Sequence, residues 1–172
     1  MKIATFLNAI ITMLTMCICQ HGFASEDLHH AATQTLILND INTYRSQHGL
    51  PILTINNVLN AEARRHSQDM AAGKIPFGHA GFDNRIQRLF KAFKRSNGIA
   101  ENVAYTDMEV RGVVSQWLHS SGHRHNIEGN YNLTGIGVAQ DEQGRYYVTQ
   151  IFLRVIETNA PTTNSKIKIT CK

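Results

Sequence analysis

Three side chains in this sequence are of types that perform acid/base or metal chemistry, and they sit in segments built for turns or polar display. They are His79 in Gly78-His79-Ala80-Gly81, Glu101 in Glu101-Asn102-Val103-Ala104-Tyr105, and His123 in Ser121-Gly122-His123-Arg124-His125-Asn126-Ile127. Twenty-two residues separate His79 from Glu101 and Glu101 from His123, an equality with no structural meaning of its own. Two neutral imidazoles could bind a divalent ion, with zinc the candidate and water completing its shell. Beside them, a carboxylate could raise the basicity of an imidazole or activate water. The plainer alternative is that the histidines hydrogen-bond loops together and Glu101 accepts backbone N–H groups. Residue types alone leave both open.

Other candidates are weaker. Ser120 and Ser121 lie close to His123 in the chain, but no Gly-x-Ser-x-Gly elbow is present to support a serine nucleophile. His66 falls on an apolar helix face and reads as a packed core histidine. Asn42 and Arg45, at i and i+3, read as structural pins, and Asn102 as a loop brace. His119 and His125 read as exposed, and Trp117 and Tyr146-Tyr147 as core or sheet residues.

The elements that must position these groups follow from periodicity. Thr33–His48 has a helical pattern with Ile37, Ile41, Tyr44 and His48 on one face, ended by Gly49 and Pro51. A second helix is predicted from about Asn57 to Ala72, with Leu59, Ala63, His66 and Met70 inward, an asparagine cap and Gly73 at its end. The glycine-bearing loop from Gly73 to Gly81 then carries His79 on irregular backbone. Phe82–Phe93 suits a third helix, with Arg85, Arg88, Lys91, Lys94 and Arg95 read as a basic, solvated outer face. Thr106-Asp107-Met108-Glu109 has the form of a capping box. It predicts a fourth helix with Val110, Val113, Val114, Trp117 and Leu118 buried, closed by Ser120–Gly122. On that reading Glu101 and His123 stand at the two ends of one short helix. The last third switches to period two. Gly135, Gly137 and Ala139 alternate with Ile136 and Val138, Asp141–Gly144 makes a hairpin loop, and Arg145–Leu153 is rich in strand formers. The small residues let another backbone approach closely. Ile167 and Ile169 leave open a last weak strand. Helices first and an antiparallel hairpin last argue an α+β fold.

Residues 1–24 read as an export signal: Lys2, an apolar stretch from Ile3 to Cys19, and Gly22-Phe23-Ala24 before a cut after Ala24. Removing 24 of the 172 residues leaves about 148, one domain's worth. Of three cysteines only Cys171 remains, so the exported domain relies on its core rather than on internal disulfides. The net charge of +4 falls to about +3 without Lys2. That is too weak a field to imply nucleic acid.

The ordered set of motifs resembles the CAP superfamily of cysteine-rich secretory proteins, antigen 5 and pathogenesis-related proteins, in a bacterial, disulfide-free version. The resemblance covers about Leu36 to Leu153. It rests on Asn42-Thr43-Tyr44-Arg45, Gly49-Leu50-Pro51, His66-Ser67 within Ala63–Met70, and Gly78-His79. Glu101-Asn102-Val103-Ala104, Trp117, Gly122-His123-Arg124 with Asn126-Ile127, Gly135-Ile136-Gly137 and Tyr147-Val148-Thr149-Gln150 complete it. It implies a three-layer α-β-α sandwich with a central, mainly antiparallel sheet and a wide polar cleft. His79, Glu101 and His123 match three of the cleft residues, and the two histidines are those that take a divalent metal in some relatives. Where eukaryotic members carry a second cleft glutamate, three residues after the tryptophan, this chain has Ser120.

The expectation is therefore a signal peptide over 1–24, a CAP domain over 33–156 and a polar tail over 157–172. The domain is expected to be a secreted or periplasmic monomer without a membrane span, binding a lipid, an envelope component or a host molecule rather than nucleic acid. The competing expectation is a metal-assisted, peptidase-like hydrolase with zinc on His79 and His123 and Glu101 as general base. Ser120 tilts the balance toward binding.

Overall fold

A computed structural model of the chain describes residues 30–107, 110–156 and 168–171. The predicted export signal and much of the predicted tail lie outside the described residues. The chain divides into residues 1–32, of which the described 30–32 are helical, and a unit Thr33–Lys172 that holds the sheet and its covering helices.

Helix α1 comprises residues 30–47. It is followed by β1 (Thr54–Ile55), α2 (Asn57–Ala71), α3 (Phe82–Ala92), β2 (Ser96–Thr106), α4 (Gly112–His119), α5 (Ser121–Ile127), β3 (Leu133–Gln140), β4 (Tyr146–Val155) and β5 (Lys168–Cys171). The five strands form one sheet in the order β1-β3-β4-β2-β5. Its centre is antiparallel, β4 pairing with both β3 and β2. The outer strands β1 and β5 join in parallel. β5 occupies the weak last strand that the sequence leaves open.

Side chains alternate across a strand, and each face of this sheet carries its own core. Ile99, Ile151 and Leu153 pack with Leu59 and Ala63 of α2 and Phe82, Ile86 and Leu89 of α3. Ala100, Ala104, Ile136, Val138, Val148 and Phe152 pack with α1, α4 and α5 through Ile37, Ile41, Val113, Trp117 and Ile127. Each such large apolar side chain contributes about 1.5–3 kcal/mol by leaving water. Helices on both faces of one sheet make the α-β-α layering.

Local chemistry places the helices. Asn56 caps α2 by accepting from the amides of Val58 and Leu59 at 2.9 and 3.3 Å. Gly135 and Gly137 bring α2 onto the sheet as their spacing predicts: a Cβ at either would lie 2.2 or 2.1 Å from the backbone of Leu59 or Ala63. Arg45, 1% exposed, donates to the carbonyls of Pro51, Ile127, Gly129 and Tyr131. It thereby pins the end of α1 to the segment after α5. His48, expected inward, is exposed and stacks on Tyr44 at 4.0 Å.

Two expectations are corrected here. Thr106 does not start a helix: it ends β2, and α4 begins at Gly112 without a side-chain cap. The reason lies in the pairing, because Ile99 to Thr106 matches β4 residue for residue. A strand buried on both faces also shows no period-two alternation to read. Further on, Ser121–Gly122 is not the turn that closes the helix. Ser120 alone takes extended backbone (φ −91°, ψ 118°), and the chain re-enters helix as α5.

Candidate functional site

Glu101 lies in the middle of β2, and its neighbour Asn102 projects to the opposite face. Both are 0% exposed. The Glu101 carboxylate is fully engaged. Oε1 accepts from Arg85 Nη2 at 2.6 Å and His79 Nδ1 at 2.9 Å, and Oε2 accepts from Arg85 Nε at 2.8 Å. Arg85 Nη1 donates to the Ala80 carbonyl at 2.8 Å, and its guanidinium lies 5.8 Å from the Phe82 ring centre. Burial pushes the Glu101 carboxyl up, but the hydrogen bonds from His79 and Arg85 and the Arg85 charge outweigh it and hold it below the usual carboxylate range.

Arg85 is the residue that sequence reasoning misplaces. Its basic neighbours assign it to the solvated face of α3, yet it is 4% exposed. The signal is present: Phe82, Arg85, Ile86 and Leu89 fall at i, i+3, i+4 and i+7 on the buried stripe. An arginine there needs a buried carboxylate, and Glu101 supplies it.

His79 sits on the loop between α2 and α3, between Gly78 (φ 128°) and Gly81 (φ 73°). Such backbone favours glycine. An ionised carboxylate only accepts, so the proton of a neutral His79 is on Nδ1, and Nε2 is left as an acceptor. Its side chain is 25% exposed. Together with Gly81, Phe82, Asp83 and Asn84 it lines a cavity of about 410 Å³. Two exposed rings, Phe77 and Tyr105, meet edge-to-face at 5.0 Å.

On the opposite face, Asn102 Nδ2 donates to the carbonyl of His123 at 3.1 Å. Asn126 Nδ2 donates to Asn102 Oδ1 at 2.8 Å and to the Glu101 carbonyl at 3.3 Å. The half-buried His123 ring lies 6.3 Å from that of Trp117, whose Nε1 reaches the Val103 carbonyl at 3.4 Å. The structure thus joins His79 and Glu101 directly, and ties the main chain of His123 to the next residue of the same strand. Among the described residues, no group of three or more His, Cys, Asp or Glu could hold a metal ion.

The remaining candidates fall as follows. Ser120 is half-buried between α4 and α5, and Ser121 is exposed. His119 and His125 are exposed. His66 is buried on α2, with Nδ1 3.1 Å from Thr149 Oγ1.

The model of the CAP family, described as the cysteine-rich secretory protein family, matches residues 38–152. The chain belongs to this family. Its CAP domain is 35% identical over 127 residues to a Bacillus subtilis (strain 168) protein named uncharacterized protein YkwD, with 70% of this chain and 47% of that protein covered. The chain therefore spans about half the length of the curated relative it matches. Among solved structures, it is similar to an extracellular protein containing a SCP domain from Bacillus anthracis (28% identity, TM-score 0.61, 73% of this chain and 41% of that one). It also shares its fold with an outer surface protein from Borrelia burgdorferi (17% identity, TM-score 0.64, 73% and 94%). Bacterial CAP domains are thus the setting in which the Glu101 centre is to be read.

Proposed function

We propose that this CAP domain is an extracytoplasmic binding module, and that the cleft beside His79 receives a lipid, an envelope component or a host molecule. One observation carries the choice of binding over catalysis. Both oxygens of Glu101 are occupied in a buried pair with Arg85 and His79, so the carboxylate is placed to orient the imidazole rather than to take a proton from water. The exposed rings of Phe77 and Tyr105 add apolar surface of the kind that interaction sites use. An extracytoplasmic setting accords with the export signal read over residues 1–24, and a similar Bacillus anthracis chain is an extracellular protein. Mass spectrometry of what copurifies with the domain from its own secreted fraction tests the reading. A specific ligand lost in His79→Ala supports it. Hydrolysis of a peptide or envelope substrate that disappears in folded Glu101→Gln overturns it. A secreted form that retains Cys17 contradicts the signal assignment.

The second reading is a metal-assisted, peptidase-like hydrolase, and one observation favours it. Nδ1 of His79 is held by a carboxylate with Nε2 left as an acceptor, the arrangement that orients histidine ligands. His79 and His123 would hold zinc, which would supply a Lewis acid and an activated water. Two imidazoles form a sparse donor set, and Glu101 is committed to Arg85. Equal zinc content in wild type and the His79→Ala/His123→Ala double variant would reject this reading.

A further inference from the structure

Behind the His79 loop lies a second cavity, of about 320 Å³, which shares Gly81 and Asn84 with the first. His66 lines it. This imidazole is 2% exposed, and its Nε2 has no hydrogen-bond partner among the described residues. Neither reading of the His79–Glu101 pair uses it.

The network behind His66 determines its tautomer. Ser67 Oγ is 3.1 Å from the Gly137 carbonyl and 2.9 Å from Thr149 Oγ1, which is 3.1 Å from His66 Nδ1. A carbonyl only accepts, so the single Ser67 proton goes to Gly137. Thr149 must then donate to Ser67, and its oxygen accepts from His66 Nδ1–H. This is the one polarity that makes all three bonds. It leaves a bare lone pair on Nε2, and a buried acceptor without a donor is unfavourable. Burial also holds the ring neutral, with a pKa lowered to about 4.

The rest of the wall restricts what can supply that donor. Arg65 and Arg88 keep N–H groups beyond those spent on Glu62, Asp69 adds a carboxylate, Asn84 an amide, and Ile75 an apolar side. A cation would meet three guanidiniums, counting Arg85. A fully ionised anion would meet the lone pair of His66. An apolar molecule would satisfy neither. A hydroxyl both donates and accepts, and a sugar ring adds a C–H face suited to Ile75. The volume holds roughly ten water-sized units, enough for one sugar ring with its hydroxyls.

We propose that the cavity between α2, the His79 loop and α3 binds a neutral saccharide, with a ring hydroxyl donating to Nε2 of His66 and others meeting Arg65, Arg88 and Asp69. The test is NMR on the whole folded protein, recording the histidine ring nitrogens and titrating methyl glucoside, diacetylchitobiose and inorganic phosphate. The expected result is a proton on Nδ1 of His66 and saturable shifts at His66 and Asn84 with a saccharide but not with phosphate. His66→Phe should weaken binding about tenfold or more, the effect of one lost hydrogen bond to a buried partner. Arg65→Ala should weaken it several-fold, and Lys91→Ala should leave it intact. A proton on Nε2, no response to either saccharide, binding by phosphate instead, or wild-type affinity in Arg65→Ala would each overturn the proposal. Should His66→Phe fail to fold, the ring-nitrogen spectrum and Arg65→Ala decide it. The saccharide titration reads His66 and Asn84, whereas copurification reads the His79 cleft, so failure here and failure of that cleft are distinguishable.

Discussion

Glu101 and Asn102 are consecutive residues of β2, both wholly buried and both held by the helices that cover their faces, yet the two centres are built on different physics. Toward α2 and α3 the strand presents an ion, neutralised by Arg85 and hydrogen-bonded by His79. Toward α4 and α5 it presents a neutral amide, matched by a second amide and a carbonyl. An ion in a low-dielectric interior is stable only with its counter-ion, whereas a neutral pair loses about one or two hydrogen bonds when broken. The first arrangement holds a reactive ring in one orientation, and the second ties one strand to one helix.

The largest expected effect breaks the ionic side. Arg85→Leu should destabilise the domain by about 3–5 kcal/mol, because Glu101 is left charged and unpaired. Urea unfolding would measure it, and adding Glu101→Leu should restore much of the loss. Arg85→Leu alone leaving stability unchanged would erase the contrast between the two faces.

Next in size is acid sensitivity, expected from the same face. The folded-state pKa of His66 lies at about 4, below its ordinary 6.5, mainly through burial. The unfolded chain therefore takes up a proton that the folded protein refuses. Stability is intact above about pH 6.5 and should fall by about 3 kcal/mol by pH 4. Glu101 acts in the same direction: its folded pKa is depressed, so its contribution is present above the usual carboxylate range and lost as pH falls through the lowered value. Unfolding followed from pH 7 to 4 should show the decline, and His66→Gln should flatten the part above the carboxylate range.

Much of the fold is legible in the residues. The cap and inner face of α2, the glycine pair of β3 and the hairpin loop follow from local chemistry, and the ordered motifs carry the family. Three things are not. β2 is covered on both sides, so its apolar and polar residues do not alternate and its pairing partner supplies the definition. The helix at Ser121 depends on a single extended residue before it. Arg85 misleads because a charged side chain on a basic helix is normally solvated, and only the strand opposite shows that its stripe position holds. The candidate site can be named from residue types, but the commitment of both Glu101 oxygens requires three dimensions.

The amide side sharpens the comparison with a smaller effect. Asn126→Ala removes the donor to Asn102 Oδ1 and to the Glu101 carbonyl. It should destabilise by about 1–3 kcal/mol, with little change in acid sensitivity, as denaturation at two pH values would show. Smallest of all, Glu62→Gln breaks the exposed pairs with Arg65 and Arg88 and should change stability by about 1 kcal/mol or less. A larger loss would show that the surface of α2 and α3 is coupled to the ionic centre beneath it.

Asn126 and Trp117 also bear on what happens when the fold loosens. Their side-chain N–H groups occupy the Glu101 and Val103 carbonyls of β2, beside the stretch Gly98–Glu101 where β5 pairs. Were α4 and α5 to peel away, those carbonyls would be bare on a strand of high apolar content, a template for another chain. The two donors would thus guard against self-association: a variant lacking both should aggregate from its partly opened state.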